Sequence, residues 1–248
     1  MNNEESSLLK DLPKGHPDRK AVAEQVVKAR EIDRLPKEKS WMSCRNGREY
    51  LTNLQGLQTT LDYVRRNGQN QTVLDIGTGV AVGICEIAQS PFGKSLKFLA
   101  TDLTHNPLAH ENLGQDNLKI TSAETLNGIP SNSVDCVLAV HSISYSAKPP
   151  YVVSAIDRVL TENGIVKAVF RGEDASLSLE EKRAEEFAEE FRKLGYRVSV
   201  SHPTANIKDQ RKKIIDLLMA VKTPGNLSPE ILLAEDKENL FEQLIILG

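Results

Sequence analysis

The chain has 248 residues, 40% of them apolar, enough for a full core in one domain with appendages. Its 31 Lys and Arg are interleaved with 34 Asp and Glu, for a formal net charge of −3, which leaves no broad electrostatic footprint for nucleic acid or an anionic membrane. Cys44, Cys85 and Cys136 are odd in number and form no C-x-x-C pair, so free thiols are expected and structural zinc is not; no run approaches the roughly 20 apolar residues of a bilayer span and no basic-then-apolar leader opens the chain, so a cytoplasmic location is expected.

In residues 1 to 40, charged positions surround Ala21, Val22, Val26 and Val27 at helical spacing, and from Trp41 to Arg66 the residues Tyr50, Leu51, Leu54, Leu57, Leu61 and Val64 recur every three or four positions. A helical N-terminal extension over residues 1–66 is predicted, with Trp41, Arg45 and Tyr50 as a lid and substrate wall or, equally, a structural cap on the sheet. Asn67-Gly68-Gln69-Asn70 is turn chemistry, and beyond it the period changes. Short β-like runs follow at Val73–Ile76, Leu96–Thr101, Leu118–Thr121, Val134–Val140, Ile165–Arg171, Arg197–Ser201 and Ile214–Lys222, alternating in the central part with helical stretches that begin near Val82, Pro107, Pro150 and Leu179. Parallel strands need crossover connections, so this alternation predicts an α/β fold with helices on both faces of the sheet, occupying residues 67–224. Ser228-Pro229 is an N-cap followed by a helix-compatible proline and opens a C-terminal helix over 225–248, whose apolar residues pack on the core or support a homodimer.

In open α/β sheets the first strand-to-helix turn is glycine-rich because the backbone there approaches a ligand. Val73 to Gly83 occupies that place. A dinucleotide fingerprint requires G-x-G-x-x-G, yet Val82 stands where the third glycine would fall. Asp75 instead precedes the glycines, giving Asp75-x-Gly77-x-Gly79-x-Ala81. A carboxylate at this strand end favours a cationic ligand and repels a pyrophosphate. In isolation Asp75 would serve equally as a turn or N-terminal helix acid, and the glycines as a tight turn. Asp102, ending the second strand, suits a pair of vicinal ribose hydroxyls, a feature common to dinucleotide and other nucleoside sites; in isolation it would serve equally as a surface-loop aspartate.

This pattern resembles the class I S-adenosylmethionine-dependent methyltransferase family, whose first motif is an acid-x-Gly-x-Gly-x-Gly; the resemblance runs from about Gln71 to Thr223. It implies a doubly wound, mostly parallel seven-stranded sheet and S-adenosyl-L-methionine as cofactor, with S-adenosyl-L-homocysteine as product. Carried over residue by residue, it implies cofactor contacts at Asp75, Gly77, Thr78, Gly79, Asp102, Leu103, Ser122, Ala123, Glu124, Val140 and His141. Ile120 to Leu126 and Ile129 to Leu138 resemble the family's Gly-Asp-Ala-Glu-x-Leu-Pro segment and the strand after it, with Ser122 where an aspartate usually accepts from the adenine amine. Asn163-Gly164 replaces the Gly-Gly turn before strand five.

The end of strand four, Ala139 to Tyr145, lies beside the methionine portion in this family. His141 is a candidate general base, since imidazole takes up a proton near neutral pH, and Tyr145 a candidate positioning group; both also suit structural roles. No Asn-Pro-Pro-Tyr occurs, which argues against the amino-methylating enzymes of adenine and glutamine, and Cys136 lies within a strand rather than a Pro-Cys loop, which argues against a cysteine nucleophile. The expectation is direct in-line methyl transfer to a small-molecule acceptor without metal. A methyltransferase-like binding module without catalysis is the alternative, and an NAD(P)-dependent oxidoreductase a more remote one.

Overall fold

The computed structural model describes residues 47, 54, 56–66, 68, 70–103, 105–146, 148–171, 177–201 and 215–222; at 145, 171, 177–182 and 215–219 it describes the backbone alone. The proposed lid residues Trp41, Arg45 and Tyr50, the remainder of the N-terminal extension and the C-terminal helix lie outside the described residues.

In chain order the elements are helix α1 (Leu57–Arg66), strand β1 (Thr72–Ile76), α2 (Val82–Gln89), β2 (Lys97–Asp102), α3 (Pro107–Leu113), β3 (Leu118–Ile120), β4 (Val134–Val140), α4 (Pro149–Val159), β5 (Leu160–Arg171), α5 (Leu177–Lys193), β6 (Arg197–Ser201) and β7 (Ile215–Val221). Single 3₁₀ turns precede β3 at Gln115–Asn117 and follow β4 at Ile143–Tyr145. The strands form one seven-stranded sheet in the order β3-β2-β1-β4-β5-β7-β6. Its pairs are parallel except those of β7, which runs antiparallel to both β5 and β6. The expected doubly wound, mostly parallel sheet is therefore present.

Because side chains alternate across a strand, each central strand feeds two cores. Val73, Cys136, Leu138, Val140, Ile165 and Val169 face Leu57, Leu61 and Val64 of α1 and Ile84 and Ile87 of α2. Leu74, Val137, Ala139, Val166 and Ala168 face Val152, Ile156 and Val159 of α4 and Phe187 and Phe191 of α5. Leu57 and Leu61 are fully buried, and each such side chain contributes about 1.5–3 kcal/mol of burial free energy. On the first face Lys167 of β5 is also fully buried, its Nζ donating to Thr60 Oγ1 of α1 at 3.2 Å.

Local chemistry sets the helix ends. Asn106 caps α3 by accepting from the Leu108 amide at 3.0 Å, Pro107 supplies a ready helical φ, and Gly114 at φ 79° ends the helix. Asn163-Gly164, expected to form a turn before strand five, instead lies within β5. Leu160 pairs with Val134 and Ile165 with Cys136, so five residues of β5 advance against two of β4, and the extra residues are absorbed as a register irregularity.

Candidate functional site at the carboxyl ends of the strands

The four segments singled out in the sequence meet at the carboxyl ends of β1, β2, β3 and β4, the side of an open α/β sheet where ligands bind. The glycine loop is anchored to β2 by Gly77 and Thr78, whose amides both donate to the Thr101 carbonyl, at 2.8 and 3.1 Å. The amide of Gly79 donates to Asp102 Oδ2 at 2.8 Å, and that of Leu103 donates to Oδ1 at 2.7 Å. The Thr121 amide donates to the Asp102 carbonyl at 2.9 Å, which brings the loop after β3 to the same rim. Each carboxylate oxygen of Asp102 thus accepts one backbone N–H.

Gly77 and Gly79 take φ of 72° and 61°. At Gly77 a Cβ would stand 2.4 Å from Ser142 Cβ, so glycine is required there by both conformation and space. Ala81, at the place of the motif's third glycine, adopts the left-handed conformation itself, with φ 61° and ψ 9°. The backbone path of the motif is retained without its last glycine, at a cost of about 1–2 kcal/mol.

Asp75 lies fully buried in β1, level with Ala100 of β2 and Leu138 of β4. Burial, and secondarily the charge of Asp75, push the neighbouring Cys85 thiol up to about 11. Asp75 thus lies beneath the loop as a buried carboxyl group rather than an exposed one.

Beyond β3, Ser122 and Glu124 are buried and Ala123 half-buried. The Ser122 hydroxyl lies 3.2 Å from Thr125 Oγ1, so the hydroxyl standing in for the usual aspartate is engaged within its own turn. Val140 is buried at the end of β4, and the next residue, His141, turns at φ 56° while its amide donates to the Val169 carbonyl at 2.9 Å. His141 is 9% exposed, and the backbone of Tyr145 closes the following 3₁₀ turn.

Sequence reasoning missed three residues. Ser142 is pressed against Gly77, and its hydroxyl, like those of Thr78 and Thr101, is buried without a hydrogen-bond partner among the described residues. Arg158 of α4 donates to the carbonyls of Ile129 (2.9 Å), Thr125 (3.1 Å) and Leu126 (3.0 Å), fastening the loop after β3 from behind. Arg183 of α5 donates to the carbonyls of Ser144 and Ser146, fastening the turn after β4. The arginines carry no motif signal; for Ser142 the strand end at Val140 is the signal that would have found it.

Residues 74–167 match the family described as methyltransferase domain. That stretch is therefore similar to a methyltransferase domain. Among solved structures the methyltransferase fold recurs in a Haemonchus contortus phosphoethanolamine N-methyltransferase in complex with phosphomonomethylethanolamine and S-adenosylhomocysteine, at 19% identity and TM-score 0.50, over 67% of this chain and 52% of that one. It recurs in the DszA carbon methyltransferase at 15% identity and TM-score 0.53, over 71% of this chain and 53% of that one. The [4+2]-cyclase SpnF shares it at 16% identity and TM-score 0.50, over 68% and 80% of the two chains. The match thus takes in about half the length of the first two proteins. A search of the curated proteins finds no match. Among the described residues no helix is long and apolar enough to cross a membrane, and no group of three or more His, Cys, Asp or Glu is placed to hold a metal ion.

Proposed function

We propose that this chain binds S-adenosyl-L-methionine at the rim formed by the glycine loop, Asp102 and the loop after β3, and transfers its methyl group directly to a small-molecule acceptor. The observation that carries this reading is the chemistry of the rim. The acidic groups of Asp75 and Asp102 favour a cationic nucleoside-like ligand and disfavour a pyrophosphate, while the Thr78 and Ser142 hydroxyls are buried without partners among the described residues. These residues fit S-adenosyl-L-methionine, which carries a sulfonium, an ammonium, a carboxylate and a ribose but no phosphate.

When bound, the cofactor supplies a methyl group activated by the sulfonium. Asp102 would accept from the ribose hydroxyls, with its carboxylate oriented by the Gly79 and Leu103 amides. Gly77, Thr78 and Gly79 would let the backbone approach, and Leu103 with Ser122, Ala123 and Glu124 would line the adenine. Asp75 would contribute a long-range field that favours the cationic groups, and Val140 would wall the methionine portion. At the acceptor side, His141 would take the proton released by an acceptor hydroxyl or amine, and Tyr145 would position the acceptor. The remaining task is alignment and exclusion of water.

Calorimetric titration with S-adenosylmethionine, S-adenosylhomocysteine and NADH tests the reading. Both sulfur ligands are expected to bind and NADH not to. Asp102→Asn should weaken S-adenosylhomocysteine by about 10- to 100-fold, the scale of a lost charge-assisted hydrogen bond. Failure of both sulfur ligands to bind the folded wild-type chain would overturn the assignment. Screening small-molecule acceptors with methyl-labelled cofactor then separates an enzyme from a binding module.

A further inference from the structure

The turn after β3 is held from outside the sheet by one side chain. Arg158, in the last turn of α4, is exposed, yet its guanidinium donates to the carbonyls of Ile129, Thr125 and Leu126 at 2.9, 3.1 and 3.0 Å and stands 3.4 Å from Ser131 Oγ. The main chain of α4 adds to this grip, since the amides of Asn132 and Ser133 donate to the carbonyls of Arg158 and Val159 at 3.0 and 2.9 Å. The grip falls on strained backbone: Leu126 and Asn132 take φ of 44° and 51°, uncommon for residues with side chains. It also reaches the rim. The amides of Thr125 and Leu126 donate to the Ser122 carbonyl at 3.3 and 2.9 Å, so the peptides that Arg158 fixes in turn fix the segment from Ser122 to Glu124.

The hydroxyls of this turn are occupied with one another. Thr125 Oγ1 lies 3.2 Å from both Thr121 Oγ1 and Ser122 Oγ, and the Asn127 amide donates to Thr121 Oγ1 at 2.9 Å. A base lying against the turn therefore meets main-chain groups, and a planar peptide cannot swivel toward a ligand as a free side chain can. Recognition by fixed groups needs them placed to within about half an ångström. We propose that Arg158 is a positioning residue for the nucleoside: from the outer surface, without touching the ligand, its fork sets the selectivity for the base by holding the turn in place. This rests on reading the rim as an S-adenosylmethionine site. Loosening the turn would blur which base is accepted and spare the ribose contact, because Asp102 is oriented separately by the Gly79 and Leu103 amides.

The test compares S-adenosylhomocysteine with S-inosylhomocysteine, in which the 6-amino donor of the base becomes an oxo acceptor and ring N1 becomes a donor. Both are titrated calorimetrically into the full chain and into its Arg158→Ala and Arg158→Lys variants. The wild type is expected to prefer the adenine ligand by about 10- to 100-fold, the scale of two mismatched hydrogen bonds. In Arg158→Ala that preference should fall to about threefold or less through weaker adenine binding. Lysine should not restore it, since an ammonium cannot fork to three carbonyls. A purely structural role would lower stability to urea yet leave the ratio of the two affinities untouched. The wild-type ratio in folded Arg158→Ala, or no preference in the wild type, would overturn the positioning role while leaving the site reading intact. Absence of S-adenosylhomocysteine binding to the wild type would overturn both. Should Arg158→Ala fail to fold, as monitored by far-ultraviolet circular dichroism, Arg158→Lys, which keeps the charge and the apolar stem, decides by the same ratio.

Discussion

Replacing Gly77 by alanine should destabilise the protein through two separable effects. The position has φ 72°, and an L-residue there costs about 1–2 kcal/mol. The new Cβ would also stand 2.4 Å from Ser142 Cβ, over 1 Å closer than the ordinary carbon contact of about 3.5–4.0 Å, so β1 and β4 would have to separate at their carboxyl ends. Overpacking of this kind costs typically about 1–3 kcal/mol, for a total of roughly 2–5 kcal/mol. Ser142→Gly removes the obstructing atom but leaves the conformational term. Urea unfolding of the wild type, the two single variants and Gly77→Ala/Ser142→Gly closes a double-mutant cycle, with an expected coupling of about 1–3 kcal/mol. Additivity of the two substitutions to within about 0.5 kcal/mol would refute the contact between the glycine loop and the β4 corner.

Other expectations follow from groups away from the loop. Arg158→Ala should cost about 1–3 kcal/mol and speed hydrogen exchange in residues 125–131, and Arg158→Lys should restore little because an ammonium lacks the planar fork that reaches three carbonyls. Restoration by lysine would show the fork to be unnecessary. Burial pushes the Cys136 thiol up to about 12, with Lys167 opposing the shift and Asp135 adding to it. Since the folded value is raised from 9.0, the stabilisation is complete below pH 9.0 and is lost as pH rises toward about 12. By pH 11 the loss should reach ~2–3 kcal/mol relative to Cys136→Ala, measured by urea unfolding at a series of pH values; parallel curves for the two proteins would contradict the burial of this thiol. Tyr196 is shifted upward by burial and by its hydrogen bond to Asp157, so Tyr196→Phe should flatten a further alkaline decline that begins near pH 10.

The strands were legible because each is a short apolar run bounded by turn chemistry, and β1, β4 and β6 lie within a residue of their predicted bounds. The position of β7 between β5 and β6 was not legible. An apolar run reads the same whichever way its strand points, so the run from Ile215 to Val221 carries no sign of direction. The irregular start of β5 escaped for a similar reason: Asn163-Gly164 is turn chemistry, and only pairing with β4 shows that the chain keeps to the sheet.

Within the site, glycines and acids announced themselves by type and spacing, and the bond from Gly79 to Asp102 joins two segments predicted separately. Ser142, Arg158 and Arg183 did not, because a serine or an arginine acquires its role from neighbours remote in the chain. Ala81 shows the reverse case, a residue of the wrong type in the backbone conformation the motif prescribes. The sequence departs from the pattern there, but the path of the chain does not.

Lys167 gives the molecule an internal timer. Its amine is sealed beneath α1 by the hydrogen bond to Thr60, so a water-soluble acylating reagent can reach it only when that helix lifts from the sheet. Surface lysines would react within the first exposure, and slow incorporation at Lys167 would record how often α1 detaches. Followed by mass spectrometry with and without S-adenosylhomocysteine, that single amine would report whether filling the rim tightens α1 on the sheet.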